Sequence, residues 1–124
     1  MSRRRPKILS KDGKLRIAVV VKSDDSGATD PQAVFAFKGA PVRTLHAVFN
    51  QLRGTMITDY IVNRIQMQEI INGRCPEYIE VTVNHPDFNL AAPQEWCVLI
   101  AQLLKRCVRC DVVICKQYER FLNL

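Results

Sequence analysis

The spacing of hydrophobic and polar residues predicts four β-strands in this chain. The first two are expected to pair as a hairpin across an acidic loop at residues 23–31. In the third, Ile79, Val81 and Val83 point one way and polar residues lie between them, a pattern typical of a half-buried antiparallel strand. The four predicted strands cover residues 15–22, 33–38, 78–83 and 111–115.

Two segments have the apolar spacing of amphipathic helices. The first covers residues 45–53, with Thr44 as its cap and Gly54 as its end. The second begins at Pro93, a residue suited to the first helical position, and Glu95 in its first turn favours the helix dipole. Its apolar residues recur at i, i+3, i+4, i+7 and i+8, and they are Trp96, Leu99, Ile100, Leu103 and Leu104.

Residues 57–71 fit two interpretations. Ile57, Ile61 and Ile65 recur every four residues, so a helix over this segment is favoured. The local alternation around residues 60–64 also permits a strand.

Together these elements predict a small α+β domain. Strands and helices are mixed along the chain, so we expect an antiparallel or mixed sheet with two or three helices packed on one of its faces. At 124 residues the chain is long enough for a single domain with an ordinary hydrophobic core. We assign residues 15–124 to this domain, with the apolar residues 118–124 docked on it, and residues 1–14 to a flexible basic arm.

The net charge of the chain is concentrated at its beginning. The total is +6, and the first sixteen residues carry seven basic residues and one acid, whereas the rest has eleven of each sign. A basic arm of this kind is typical of binding to RNA, a ribonucleoprotein or an acidic membrane surface. Residues 3–7 would also serve as a nuclear-import signal. The candidate anion-binding residues are Arg3, Arg4, Arg5, Lys7, Lys11, Lys14 and Arg16.

No catalytic motif is present in the sequence, so we expect no enzymatic activity. There is no nucleophile elbow, no phosphate-binding glycine loop and no H-E-x-x-H. Cys107 and Cys110 form a C-x-x-C, but no second close pair of cysteines or histidines completes a zinc site, and we expect no metal or cofactor. The five cysteines and the lack of a secretory signal predict free thiols in a reducing compartment.

Several short motifs resemble those of rhabdovirus matrix proteins. The chain is shorter than typical members of that family and lacks their Pro-Pro-x-Tyr motif. The resemblance implies a compact α+β core behind a basic N-terminal segment, in a protein that self-associates, condenses the nucleocapsid and bridges it to the inner membrane leaflet. The matching positions are Arg43 and Thr44, residues 79–83, and Ala91, Ala92, Pro93 and Trp96.

The leading hypothesis is therefore a non-enzymatic viral structural protein of matrix type. Its arm would bind anionic membrane or viral ribonucleoprotein, its core would form homo-oligomers, and no small-molecule substrate is expected. Such a protein is expected in the virion, in the host cytoplasm and at the inner membrane face, with the nucleus as a further location. The alternative hypothesis is a small RNA-binding viral accessory protein that antagonises silencing or innate immunity. A third hypothesis is a zinc-stabilised adaptor built on Cys107 and Cys110.

Overall fold

A five-stranded sheet is the centre of the fold in a computed structural model, which describes residues 15–22, 32–53, 59–84 and 93–124. β-Branched and aromatic residues, which fit a pleated and half-buried surface, supply most of its buried positions. The order of the strands across the sheet is β3-β4-β2-β1-β5. The strands are β1 (Leu15–Lys22), β2 (Gln32–Lys38), β3 (Asp59–Val62), β4 (Tyr78–Asn84) and β5 (Cys110–Ile114).

The sheet is mixed. The pairs β1–β2, β2–β4 and β4–β3 are antiparallel, whereas β5 pairs with β1 in parallel, with Leu15 opposite Cys110. These directions make β4 parallel to β5 and β2 parallel to β3, although neither pair is adjacent. The chain must therefore cross a face of the sheet twice, and a helix makes each of these crossings.

The helices that cross the sheet pack against each other on the same face. The first starts earlier than predicted, because the carbonyl of Pro41 accepts a hydrogen bond from the Leu45 amide at 3.2 Å. Thr44 therefore lies inside the helix and is not its cap. The crossing helices are α1 (Val42–Arg53) and α3 (Pro93–Cys107), and two short helices, α2 (Arg64–Ile71) and α4 (Tyr118–Leu122), complete the described elements.

The main hydrophobic core lies between the sheet and the pair α1 and α3. Phe35 and Phe37 of β2 are fully buried in it. The ring of Phe37 meets that of Phe49 on α1 edge to face, with centroids 5.8 Å apart. Ile100 and Leu104 of α3 are also fully buried. Truncation of one of these side chains to alanine typically costs about 2–5 kcal/mol.

A second, smaller core lies on the opposite face of the sheet, so the expectation that all helices pack on one face is wrong. Phe121 of α4 is fully buried there, against Ala18, Val20 and Ala36. The alanines leave room for the ring, whose edge faces the ring of Tyr78 at 5.8 Å. The predicted docking of the apolar residues 118–124 is confirmed for α4.

The helix favoured over residues 57–71 is wrong for residues 59–62, which form β3 as the alternative interpretation permits, and correct for residues 64–71, which form α2. Tyr60 and Val62 pair with residues of β4, and Val62 is buried, whereas Ile61 is 64% exposed and so makes no apolar helix face with its neighbours. Asn63 ends the strand and caps α2, because its side-chain oxygen accepts from the amides of Ile65 at 3.0 Å and Gln66 at 3.3 Å.

The predicted α+β class and the single small domain are confirmed by this architecture. The strand at residues 15–22 has the predicted bounds, and the second predicted helix begins at Pro93 as expected. Among the described helices, none combines the length and apolar content that crossing a lipid bilayer requires.

Candidate anion-binding interface

Of the seven predicted anion-binding residues, the structure describes Arg16 alone. Its side chain is exposed on β1, and its register partner on the neighbouring strand β5 is Asp111. The position of Leu15 at the start of β1 fixes where the preceding basic residues join the domain. The other six, which lie outside the described residues, are Arg3, Arg4, Arg5, Lys7, Lys11 and Lys14.

The chain enters β1 at the corner of the domain where α3 ends and α1 begins. The parallel pair places Leu15 opposite Cys110, and α3 ends at Cys107, shortly before this strand. β2 runs antiparallel to β1 and ends at Lys38 on the same side, and α1 starts at Val42 soon afterwards. We call this region the entry corner.

Exposed basic residues of α1, of α3 and of the turn after α3 lie near the entry corner. Lys105 and Arg106 lie in the last turn of α3, where cations interact favourably with the helix dipole. Asp111 and Glu77 lie at the same end of the sheet, Asp111 opposite Arg16 in register. The exposed basic residues near the entry corner on the side of α1 and α3 are Arg43, Lys105, Arg106 and Arg109. The side chain of Arg16 alternates with those of Leu15 and Ile17 and therefore points to the α4 side of the sheet.

The solvent side of α1 and α3, which we call the helical outer face, is also basic. Arg43 and Arg53 lie on α1, which contains no acidic residue, and Lys105 and Arg106 lie on α3. Glu95 is the acidic residue of α3. Sequence reasoning missed this surface, because acids elsewhere in the chain balance these charges in a linear count. The absence of acids from α1 is the signal that would have indicated it.

One flank of α1 is joined to the edge strand β3 through Tyr60. The ring of Tyr60 stacks on that of Phe49 with centroids 4.6 Å apart, and the guanidinium carbon of Arg53 lies 5.2 Å from the ring centroid. His46 Nδ1 lies 2.5 Å from the Tyr60 hydroxyl oxygen, so this exposed histidine holds α1 against β3. His85, the other histidine, is outside the described residues.

On the opposite face of the domain, several polar and charged side chains meet at Glu80. The hydroxyl of Tyr118 donates a hydrogen bond to the Glu80 carboxylate, and Lys22 Nζ lies 3.9 Å from the same oxygen. Asn63 donates to the other carboxylate oxygen at 3.5 Å. Burial, together with the bond to Glu80, raises the pKa of Tyr118 above its usual value. This cluster attaches α4 to β4.

A groove of about 330 Å³ between α2 and the start of β4 is lined by the acids Glu69, Glu77 and Glu80. The side chain of Gln66 closes the edge of β4 beside it. Its amide nitrogen donates to the Tyr78 carbonyl at 2.8 Å, and its oxygen accepts from the Glu80 amide at 2.6 Å. The groove has acidic walls, so an anion would not be favoured there.

The cysteines are free thiols, and three of them are buried. Burial raises the pKa of the Cys97 thiol to about 11 and also raises that of Cys110, although Lys105 acts in the opposite direction on Cys110. Within the part of the chain that the structure describes, no three His, Cys, Asp or Glu side chains come together as a metal site requires. The geometry therefore gives the pair Cys107 and Cys110 no further ligands among these residues.

Comparison with protein-family models, curated proteins and solved structures finds no match to this chain. The resemblance to rhabdovirus matrix proteins stays a prediction that rests on the short motifs given above.

Proposed function

We propose that this protein is a non-enzymatic assembly protein of viral matrix type that binds a polyanionic surface through its basic N-terminal segment. The surface is an anionic membrane leaflet or the viral ribonucleoprotein, and the bound copies associate with one another. The observation that carries the proposal is the position of Leu15. The basic residues before it join the domain at the entry corner, beside the exposed Lys105, Arg106 and Arg109.

The position of these basic residues near one another matters, because electrostatic binding depends on how many charges reach the surface together. Each lysine or arginine near an anionic leaflet contributes about 1 kcal/mol, within roughly one Debye length of the surface. Six basic residues precede Leu15. If the entry corner faces the same surface, its residues add to theirs, and the whole region gives reversible attachment without a membrane span.

The direct test is a full-length variant in which the six basic residues before Leu15 are replaced by glutamine. We expect its partition coefficient onto vesicles of phosphatidylcholine and phosphatidylserine to fall by at least about 1000-fold relative to the unmodified protein. Circular dichroism and the thermal midpoint should not change, because the described cores are built from Leu15 onwards. Flotation that is equal for the two proteins would contradict the proposal.

The same pair of proteins distinguishes the RNA-binding alternative. Mobility shifts with single-stranded RNA at several salt concentrations give the number of phosphates contacted, because the logarithm of affinity falls linearly with the logarithm of salt concentration. Tight RNA binding with a steep salt slope, and no vesicle binding, would replace the matrix-type proposal with that of an RNA-binding accessory protein.

A further inference from the structure

We infer that the helical outer face of α1 and α3 lies flat against a lipid leaflet that carries anionic headgroups. This inference rests on the proposed function and deepens it, because it names the membrane as the partner and gives the folded domain a defined orientation. The sheet would then lie parallel to the membrane plane, with α4 and the acidic groove on the side turned away.

The charge of this face is complementary to such a leaflet. Arg43, Arg53, Lys105 and Arg106 oppose one acid on the two helices, and all four basic side chains are exposed. The rest of the described domain carries acids as well as basic residues, and some of these are paired, with Lys38 Nζ 3.6 Å from a Glu77 carboxylate oxygen. An excess of positive charge that is greater on one side than on the other orients the domain relative to an anionic plane.

Arg43 supports the inference because its position in the helix has an electrostatic cost. It lies in the first turn of α1, where the helix dipole disfavours a cation and where no acid compensates it. An anionic headgroup in contact with this turn would offset that cost. Arg109 stands in the turn after α3 and extends the same basic surface to the start of β1.

An apolar side chain lies among these charges. Val98 is 45% exposed on α3 and shares its line along the helix with Lys105, two turns away. A surface that combines exposed apolar and basic residues on one helix is typical of binding at a lipid headgroup layer, where the apolar group enters the acyl boundary.

The same features favour lipid over RNA. Proteins that bind single-stranded RNA present aromatic rings on which bases stack. The aromatic side chains of α1 and α3 are Phe49, which is fully buried, and Trp96, which packs against the main core. The exposed imidazole of His46 on α1 is held against Tyr60 of β3. The described part of this face therefore offers basic groups and a small aliphatic group, and no exposed ring of Phe, Tyr or Trp.

The test compares two full-length variants that remove the same number of charges from different sides. R43Q/K105Q/R106Q neutralises the helical outer face, and R64Q/R74Q/K116Q neutralises three exposed residues elsewhere. With vesicles of phosphatidylcholine and phosphatidylserine, we expect the first variant to lose about 100-fold in partition coefficient and the second to lose only a few-fold. Equal losses, or no loss in the first variant, would overturn the inference.

Val98→Ser separates the membrane from RNA as partner. We expect this change to lower vesicle partitioning by roughly fivefold, because apolar area no longer leaves water, and to leave RNA affinity unchanged. If R43Q/K105Q/R106Q weakens binding to single-stranded RNA and not to vesicles, the inference is wrong and the face binds RNA. Vesicle binding that depends on the residues before Leu15 but not on the helical outer face would overturn this inference alone and leave the proposed function standing.

Discussion

The hydroxyl of Tyr118 donates a hydrogen bond to the carboxylate of Glu80, across 38 positions of sequence, and so ties the last helix to a central strand. Hydrogen bonds to charged groups typically contribute about 1.5–3 kcal/mol. We expect Tyr118→Phe to lower the free energy of unfolding by about 1–2 kcal/mol, since the half-buried site admits some water. Urea denaturation at pH 7 measures this loss. Tyr60→Phe is the control, because it removes an exposed bond to His46 and should cost less.

Because of the same tyrosine, the stability of the folded protein is expected to depend on pH in the alkaline range. Burial, and then the bond to Glu80, raise the pKa of Tyr118 above the ordinary value of 10.0, so the folded state holds the proton more tightly than the unfolded state does. The resulting stabilisation is complete below pH 10 and decreases as the pH rises above it. The stability difference between the wild type and Tyr118→Phe should therefore shrink above pH 10. A difference that stays constant from pH 8 to pH 11 would show that Tyr118 does not contribute through its proton.

Lys38 holds the end of α4 in place. Its ammonium group donates to the main-chain oxygens of Phe121, Leu122 and Leu124 at 3.0–3.3 Å, where a cation also interacts favourably with the helix dipole. We expect Lys38→Met, which keeps the aliphatic stem, to cost about 1–2 kcal/mol and to speed hydrogen exchange in α4 more than elsewhere. Lys116→Met, at an exposed position, is the control and should change neither quantity.

The thiols are expected to react in the order of their exposure. Cys75 is exposed, whereas Cys97 is buried and has a pKa raised to about 11. At pH 8 an aromatic disulfide reagent should label Cys75 within the mixing time and Cys97 only after global unfolding. Cys75→Ser should abolish the fast phase. A fast phase that persists in this variant and maps to Cys97 would show that the packing of α3 on the sheet is looser than described.

Self-association is expected to use the outer side of β3 and α2. Ile61 and Ile65 are 64% and 73% exposed there, and β3 is an edge strand of the described sheet. We expect I61E/I65E to reduce the weight-average mass in sedimentation velocity at high protein concentration, and to leave vesicle partitioning of the dilute protein unchanged. Val98→Glu, which places a charge at an exposed apolar position on α3, is the control and should not lower the weight-average mass.

Much of the fold followed from local pattern, and the errors have a common cause. The alternation of Ile79, Val81 and Val83 predicts β4 correctly, because one side of this strand is fully buried in the main core and the other is only partly covered. The isoleucine spacing favours a helix for the segment that forms β3, yet pairing with β4 supplies ladder hydrogen bonds that override this local preference. Asn63, a favoured capping residue directly before α2, was the signal for the boundary.

The candidate interface was harder to predict, because it depends on strand order. A count along the chain indicated a neutral body behind a basic arm. The parallel pairing of β1 with β5 brings Arg109 beside the start of β1, and two crossings place α1 and α3 side by side on one face. No local pattern specifies which side of a sheet a crossing takes, and the resulting separation of charge therefore becomes visible only in three dimensions.

The central claim is that this protein attaches to polyanionic surfaces by charge. The most direct measurement is the partition coefficient of the full chain onto phosphatidylcholine vesicles as the phosphatidylserine fraction is increased, at low and at high salt. We expect no binding to neutral vesicles, a steep rise in binding with the phosphatidylserine fraction, and loss of binding at high salt. Partitioning that is absent at every lipid composition, in a protein that also fails to bind RNA, would contradict it.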